Sequence, residues 1–247
     1  MTNRKLLVVA LALAFVTPAV WADGLPLPQV IMEVDWSGGT WTADLTDPSM
    51  PWVEAIVENS DGTYSLQGGW QDGGDWNCAW DLTIDPDPAV FGAFNFTNNL
   101  GVADALSVSL MMPAVVNAPA TMNGSISGSL LDGTVPGDGA TLQTSAGDPT
   151  APIYTALIDG SPVQTLLDPV YITTVGPGLT DDWGAPAPAQ FGPMAAPAVA
   201  ASIGISHEFN LSGNQDSAVF VTRFEVVPEP ATLALLAFGG LALIRRR

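Results

Sequence analysis

A chain of 247 residues with 25 acidic and only 6 basic side chains has a formal net charge of −19. Every acidic residue lies at or after Asp23, and Arg223 is the lone basic residue between Asp23 and Ile244, so the stretch from Asp23 to Pro230 carries 1 − 25 = −24. That charge excludes nucleic acid as a partner, because neutralising phosphates takes Lys and Arg, and it disfavours adsorption to anionic lipid. The one cysteine, Cys78, allows no intrachain disulfide, so the body must be held by a hydrophobic core. Roughly two hundred residues suffice for one such core, and a single domain over 23–226 is expected.

The chain opens with Arg4 and Lys5 before an apolar stretch from Leu6 to Val16, broken by Pro18. Val20-Trp21-Ala22 then offers a cleavage site ahead of Asp23. This is the layout of a cleavable secretory signal peptide over 1–22, which takes no part in the fold. Two positive residues at its start keep that end inside, so the body is exported.

Within the body, period-two alternation recurs and convincing helical periodicity does not. The clearest strand runs from Trp76 to Asp85. Trp76, Cys78, Trp80, Leu82 and Ile84 share one face, and Asn77, Ala79, Asp81, Thr83 and Asp85 share the other. Tyr64 to Trp70 precedes it, and Gln71 to Asp75 reads as a five-residue hairpin loop between the two. Pro86-Asp87-Pro88 ends the second strand, since proline cannot donate to a ladder. Phe91 to Thr97, the run marked by Leu106, Val108 and Leu110, Thr121 to Leu130 and Ile153 to Ile158 follow as further strands. Two more alternate near the end, one through Ile203, Ile205, Phe209 and Leu211, the other through Phe220, Thr222, Phe224 and Val226.

Two stretches do not read as strands. Asp132 to Thr150 is a Gly, Asp and Thr loop, and 176–200 is dominated by Ala, Pro and Gly, expected as an extended surface segment. Many short strands separated by turn chemistry predict an all-β protein, a β-sandwich of jelly-roll or immunoglobulin-like kind.

Catalytic chemistry finds little to work with. His207 is the only histidine, and it falls in register with Ile205 and Phe209 on the apolar face of its strand, where a packed residue sits and not a general base. Cys78 lies between two inward tryptophans and reads as a small buried hydrophobe. Zinc and iron centres need more His or Cys than the chain holds. Acidic residues abound, yet no spacing singles out a glycosidase pair, so the expectation is a non-catalytic protein with no required cofactor.

Binding has more support. Trp36, Trp41 and Trp183 lie beside Gly- or Pro-rich stretches and are the candidates for exposed glycan contacts, whereas Trp76 and Trp80 are committed to a core. Asp72 with Asp75, and Asp85 with Asp87, bring hard oxygen ligands together on loops and are the candidate calcium residues, although Asp-Gly and Asp-Pro are equally ordinary turn chemistry. Tryptophans lining one concave face would favour a glycan-binding module. Two carboxylates facing each other across a groove at roughly 5–9 Å would favour an enzyme acting on polysaccharide.

The chain closes on Pro228-Glu229-Pro230, an uncharged apolar run from Ala231 to Ile244, and Arg245-Arg246-Arg247. The prolines make a stiff, extended stretch, and the arginines stay on the cytoplasmic side. As a transmembrane helix the apolar run is short, roughly 21 Å against a hydrocarbon core of roughly 30 Å, so it suits a transient stop in the inner membrane better than a permanent anchor.

Motif, apolar helix and terminal arginines in this order resemble the PEP-CTERM sorting signal, here spanning 227–247. The resemblance covers only the tail. It implies that the partner is an exosortase, a membrane-embedded cysteine transpeptidase-like enzyme of Gram-negative bacteria that make extracellular polysaccharide. It implies that Pro228, Glu229, Pro230, Arg245, Arg246 and Arg247 are the residues recognised. Delivery to the cell surface or to an exopolysaccharide biofilm matrix follows as the expected destination, with extracellular polysaccharide as a further partner.

Overall fold

The computed structural model describes residues 27–72, 74–133, 137–144, 150–183 and 189–229. The alternation noted above becomes strands throughout. In chain order they are β1 (Ile31–Trp36), β2 (Gly39–Asp44), β3 (Val53–Glu58), β4 (Tyr64–Asp72), β5 (Trp76–Asp85) and β6 (Ala89–Asn98). The middle of the chain supplies β7 (Asp104–Pro113), β8 (Ala120–Leu131), β9 (Ala140–Gln143), β10 (Tyr154–Ile158) and β11 (Ser161–Leu166). The last five are β12 (Ile172–Val175), β13 (Thr180–Trp183), β14 (Ala189–Ala196), β15 (Ser202–Leu211) and β16 (Asp216–Pro228).

They form two antiparallel sheets. The first runs β11-β10-β15-β7-β1-β2, with β9 joining the end of β15 and β12 pairing with β9. The second runs β13-β8-β16-β6-β5-β4-β3, with β14 also on β8. Between them lies the core. Phe209 of β15 meets Phe96 at 5.4 Å and Phe220 at 4.8 Å, both from the opposite sheet, and Trp76 meets the same Phe209 edge-on at 6.4 Å. Each fully buried aromatic of this kind contributes about 1.5–3 kcal/mol through apolar area removed from water.

β5 has the predicted bounds, and its five apolar residues Trp76, Cys78, Trp80, Leu82 and Ile84 are all buried. Its hairpin with β4 is tighter than predicted. Gln71 and Asp72 continue the ladder, Asp72 opposite Trp76, and the Asp75 amide donates to the Asp72 carbonyl at 2.7 Å to close the turn. β16 is the longest strand. It lies between β6 and β8 and buries Ala218, Phe220, Thr222, Phe224 and Val226 on alternate positions.

The segment 176–200 is not simply an extended surface run. β13 and β14 within it both pair with the outer edge of β8, β14 along Ala120–Ile126 and β13 along Gly128–Leu131. An edge of unpaired amides and carbonyls recruits the passing chain, whatever its side chains. The loop Asp132 to Thr150 likewise contains β9, whose Ala140 and Leu142 are buried.

The expected signal peptide (1–22), Pro230, the apolar sorting run and Arg245, Arg246 and Arg247 lie outside the described residues. Among the described residues no helix is long and apolar enough to cross a membrane.

Candidate functional site

β16 carries the chain directly into its tail. Val227 pairs with Thr121 and Pro228 with Ala120, and the Glu229 amide donates to the Pro119 carbonyl at 3.0 Å. Pro228 also borders a small cleft of about 290 Å³, together with Pro86, Asp87, Pro88 and Val115. The Pro-Glu-Pro motif therefore begins where the last strand of the sheet ends.

The tryptophans gather elsewhere. β2 ends one sheet and β3 ends the other, and the indoles fill the mouth between these two edges. Trp41 stacks on Trp70 at 5.2 Å and meets Trp52 edge-on at 5.4 Å, while Trp36 lies 5.0 Å from Trp70. Trp36 and Trp41 are thus half-buried against other tryptophans and not free platforms. Trp183, also expected at the surface, is 5% exposed. It packs edge-on against Phe220 at 5.3 Å and lies over Gly128, whose missing side chain makes the room. The Nε1 donors of Trp36, Trp52, Trp80 and Trp183 are buried with no hydrogen-bond partner among the described residues.

The acidic residues fall into two kinds. Asp72 serves the β4–β5 turn through its carbonyl, as above, and Asp75 follows it there. Asp85 accepts the Asp87 amide on its Oδ1 at 2.9 Å, an Asx turn, and its carboxyl is pushed up first by burial and then by the charges of Asp87, Asp61 and Glu225. A different trio comes together in space. Asp132, Asp138 and Asp216 offer carboxylate oxygens within 4.8 Å of one another, the first and last of them buried. Oxygen donors of this type suit a hard cation. These oxygens are already engaged, however. Asp132 Oδ2 accepts the Gly178 amide at 2.6 Å and the Gly139 amide at 3.2 Å, Asp216 accepts the Gly133 amide and the Ser212 hydroxyl, and Asp138 accepts Asn214 Nδ2 at 2.8 Å. Burial raises the Asp216 carboxyl, the Ser212 and Gly133 donors oppose that, and the neighbouring Asp132 and Asp138 charges add to the rise. Nothing in the local sequence links this trio, because β16 and the β8–β9 connection meet only in the folded chain.

A groove of about 710 Å³ lies on the outer face of the second sheet. Registered positions of β4, β5 and β6 form its floor. Gly69 pairs with Ala79, so the middle of the groove carries almost no side chain over β4 and β5, and Asn95, opposite Ala79, ends that row on β6. Gln71, Asn77 and Thr97 form the next row on one side, and Gln67 with Asp81 forms the row on the other, joined by a Gln67 Nε2 to Asp81 Oδ2 bond of 3.2 Å. Trp52 and Glu54 stand at the β3 end. Sequence reading placed Asn77, Ala79 and Asp81 on the polar face of their strand but had no means to see that a groove forms there.

His207 lies in the core. Its Nδ1 faces the Ile153 carbonyl at 3.3 Å, its Nε2 has no partner among the described residues, and its ring packs on Phe94, Tyr154 and Phe220. Burial lowers its pKa to about 4, keeping it neutral. Cys78 is fully inside, and burial pushes its thiol well above the ordinary range. Neither is placed as an activated nucleophile or as a base.

Residues 226–247 match the family model of the PEP-CTERM protein-sorting motif, and the chain carries that motif as the tail chemistry predicted. No curated protein matches the chain.

Proposed function

We propose that this is a non-catalytic exported protein whose tail is cut by an exosortase, which delivers the folded body to the cell surface or into the extracellular polysaccharide matrix. The observation that carries the reading is where the motif sits. The match over 226–247 begins within the last residues of β16, and the described ladder of that strand closes with the Glu229 amide. A protease working just beyond that point meets a finished sheet. It removes the apolar run without breaking any described backbone bond.

The body suits such a destination. A formal charge of −24 between Asp23 and Pro230 keeps it soluble and separated from like-charged neighbours outside the cell. The placement of His207 and Cys78 inside the core favours a role without covalent or acid–base chemistry.

The test is the intact mass of the protein recovered from its native host's surface or medium. A polypeptide starting near Asp23 and lacking the apolar run is the expected product. Mass above that polypeptide would indicate attached glycan or lipid and so a place in the matrix. A mass that retains Ala231 to Arg247 would make this a membrane-anchored protein and overturn the sorting reading.

A further inference from the structure

We propose that the outer groove of the second sheet binds a neutral, hydroxyl-rich polysaccharide, with Gly69 and Ala79 as its floor and Gln71, Asn77 and Asn95 as contacting residues. The assignment rests on the matrix reading only for where the protein would meet such a polymer. The site itself is argued from its lining.

Shape comes first. In an antiparallel sheet, residues opposite one another project to the same face, and successive same-face rows stand about 7 Å apart along the strand. The Gln67–Asp81 row and the Gln71–Asn77–Thr97 row are two such steps apart, so the walls stand roughly 14 Å from one another, backbone to backbone. Between them Gly69 and Ala79 project nothing longer than a methyl group, and Asn95 ends the same row on β6. The result is a trough over β4 and β5 that ends at Asn95, and its volume of about 710 Å³ falls within the usual range for ligand sites.

Chemistry then selects the occupant. The amides of Gln71, Asn77 and Asn95 both donate and accept without carrying charge, the pattern that pairs with hydroxyls, which do the same. No Lys or Arg lines the groove, and the body's one arginine, Arg223, is already paired with Glu225. Glu54 and Asp81 would repel phosphate, sulfate or uronate groups. An extended peptide is a poor fit for a separate reason. The groove lies on the face of paired strands, where the backbone donors and acceptors are already used, and strand addition needs a free edge.

Affinity electrophoresis of the full chain tests the proposal. Native gels would contain dextran, laminarin or galactomannan as neutral probes and alginate as the anionic one. At least one neutral polymer is expected to retard the protein, with alginate leaving it unretarded. Ala79→Arg places a long side chain along the floor from an exposed position and should abolish the retardation. Asn95→Ala, which only shortens an exposed side chain, should weaken it about tenfold. Ser109→Arg, on the outer face of the other sheet, should behave as the wild type with respect to retardation. Equal mobility in every neutral gel, retardation undiminished by Ala79→Arg and Asn95→Ala, or equal retardation by alginate would each overturn the assignment. Localisation separates this idea from the sorting reading. If the wild-type chain binds a neutral polymer but stays in the membrane with its tail intact, the groove stands and the sorting reading fails. If Ala79→Arg reaches the matrix as well as the wild type and no polymer retards either, the groove assignment fails alone.

Discussion

The indole of Trp183 lies directly over Gly128, where any β-carbon would stand well inside contact distance of both the ring and the Val219 carbonyl. One pair of residues thereby fastens β13, the outermost strand of its sheet, to β8. Trp183 is the only large apolar side chain of β13, whose other residues Thr180, Asp181 and Asp182 are exposed. Gly128→Ala should therefore lower stability by about 1–3 kcal/mol, since it overpacks a site bounded partly by backbone. Gly176→Ala meets only the tip of Leu179 at ordinary contact distance and should stay within about 0.5 kcal/mol. Chemical denaturation of both variants against the wild type checks the contrast. Equal midpoints for Gly128→Ala and wild type would remove the proposed fastening.

His207 predicts an acid sensitivity separate from that of the carboxylates. Burial holds its folded pKa at about 4, against 6.5 in a solvated chain. The unfolded state thus binds its proton first. Stability from this group is complete above pH 6.5, falls as pH drops toward about 4, and changes no further below that. The full span corresponds to roughly 3 kcal/mol by linkage. His207→Leu should remove that slope between pH 6.5 and 4 whatever it does to stability at neutral pH. Urea midpoints of both proteins across this window measure it, and parallel curves would show that His207 does not titrate as its burial requires.

How far the sequence foretold the structure depended on which interactions were local. β5 was legible in full, because five apolar residues at alternate positions have one way to be buried. Much of β15 and β16 was legible for the same reason. β13 and β14 were not, because Ala, Pro and Asp carry no alternation and it is the free edge of β8 that orders them. The environment of Trp41 was invisible for a similar reason. Its partners Trp52, Trp70 and Trp80 come from the other sheet, and only the meeting of two sheet edges brings them to it. The Asp132, Asp138 and Asp216 trio and the outer groove are likewise products of register between distant strands, which no spacing along the chain encodes. The sorting tail was legible because its recognition is linear.

A surface carboxylate should matter more than its exposure implies. Asp159 begins the β10–β11 turn with a φ of 52°, followed by Gly160 at 73°, the pair of positive values that a tight Asp-Gly hairpin uses. Its Oδ1 accepts the amides of Ala200, Ala201 and Ser202 at 3.1, 2.7 and 3.0 Å, which ties the hairpin to the start of β15. Those three backbone donors hold its carboxyl below the usual range. Stability from this group is present above the ordinary carboxylate pKa and is lost as pH falls through the lowered folded value. Asp159→Ala should lower the Tm at pH 7 and flatten this part of the acid response, and Asp159→Asn should lose less because one acceptor oxygen remains. Thermal melts at pH 7 and in the acid range would decide it. An unchanged Tm in Asp159→Ala would mean that the three amides are satisfied equally well by water.

The end of β16 sets where the tail can be cut without harm. Its ladder with β8 runs through Val227 and Pro228, and the Glu229 amide makes the last described bond, to the Pro119 carbonyl. A chain ending at Glu229 should melt within about 2 °C of one that keeps the tail, since no described apolar contact or hydrogen bond is removed. A chain ending at Val221 should not fold. It loses Phe224 and Val226, both fully buried, and each such deletion costs about 2–5 kcal/mol against a total stability of about 5–15 kcal/mol. Circular dichroism melts of the two truncations, with the full chain in detergent as reference, measure the difference. If the chain ending at Glu229 proved as unstable as the one ending at Val221, the tail would be part of the fold, and a cut at this point could not release a stable body.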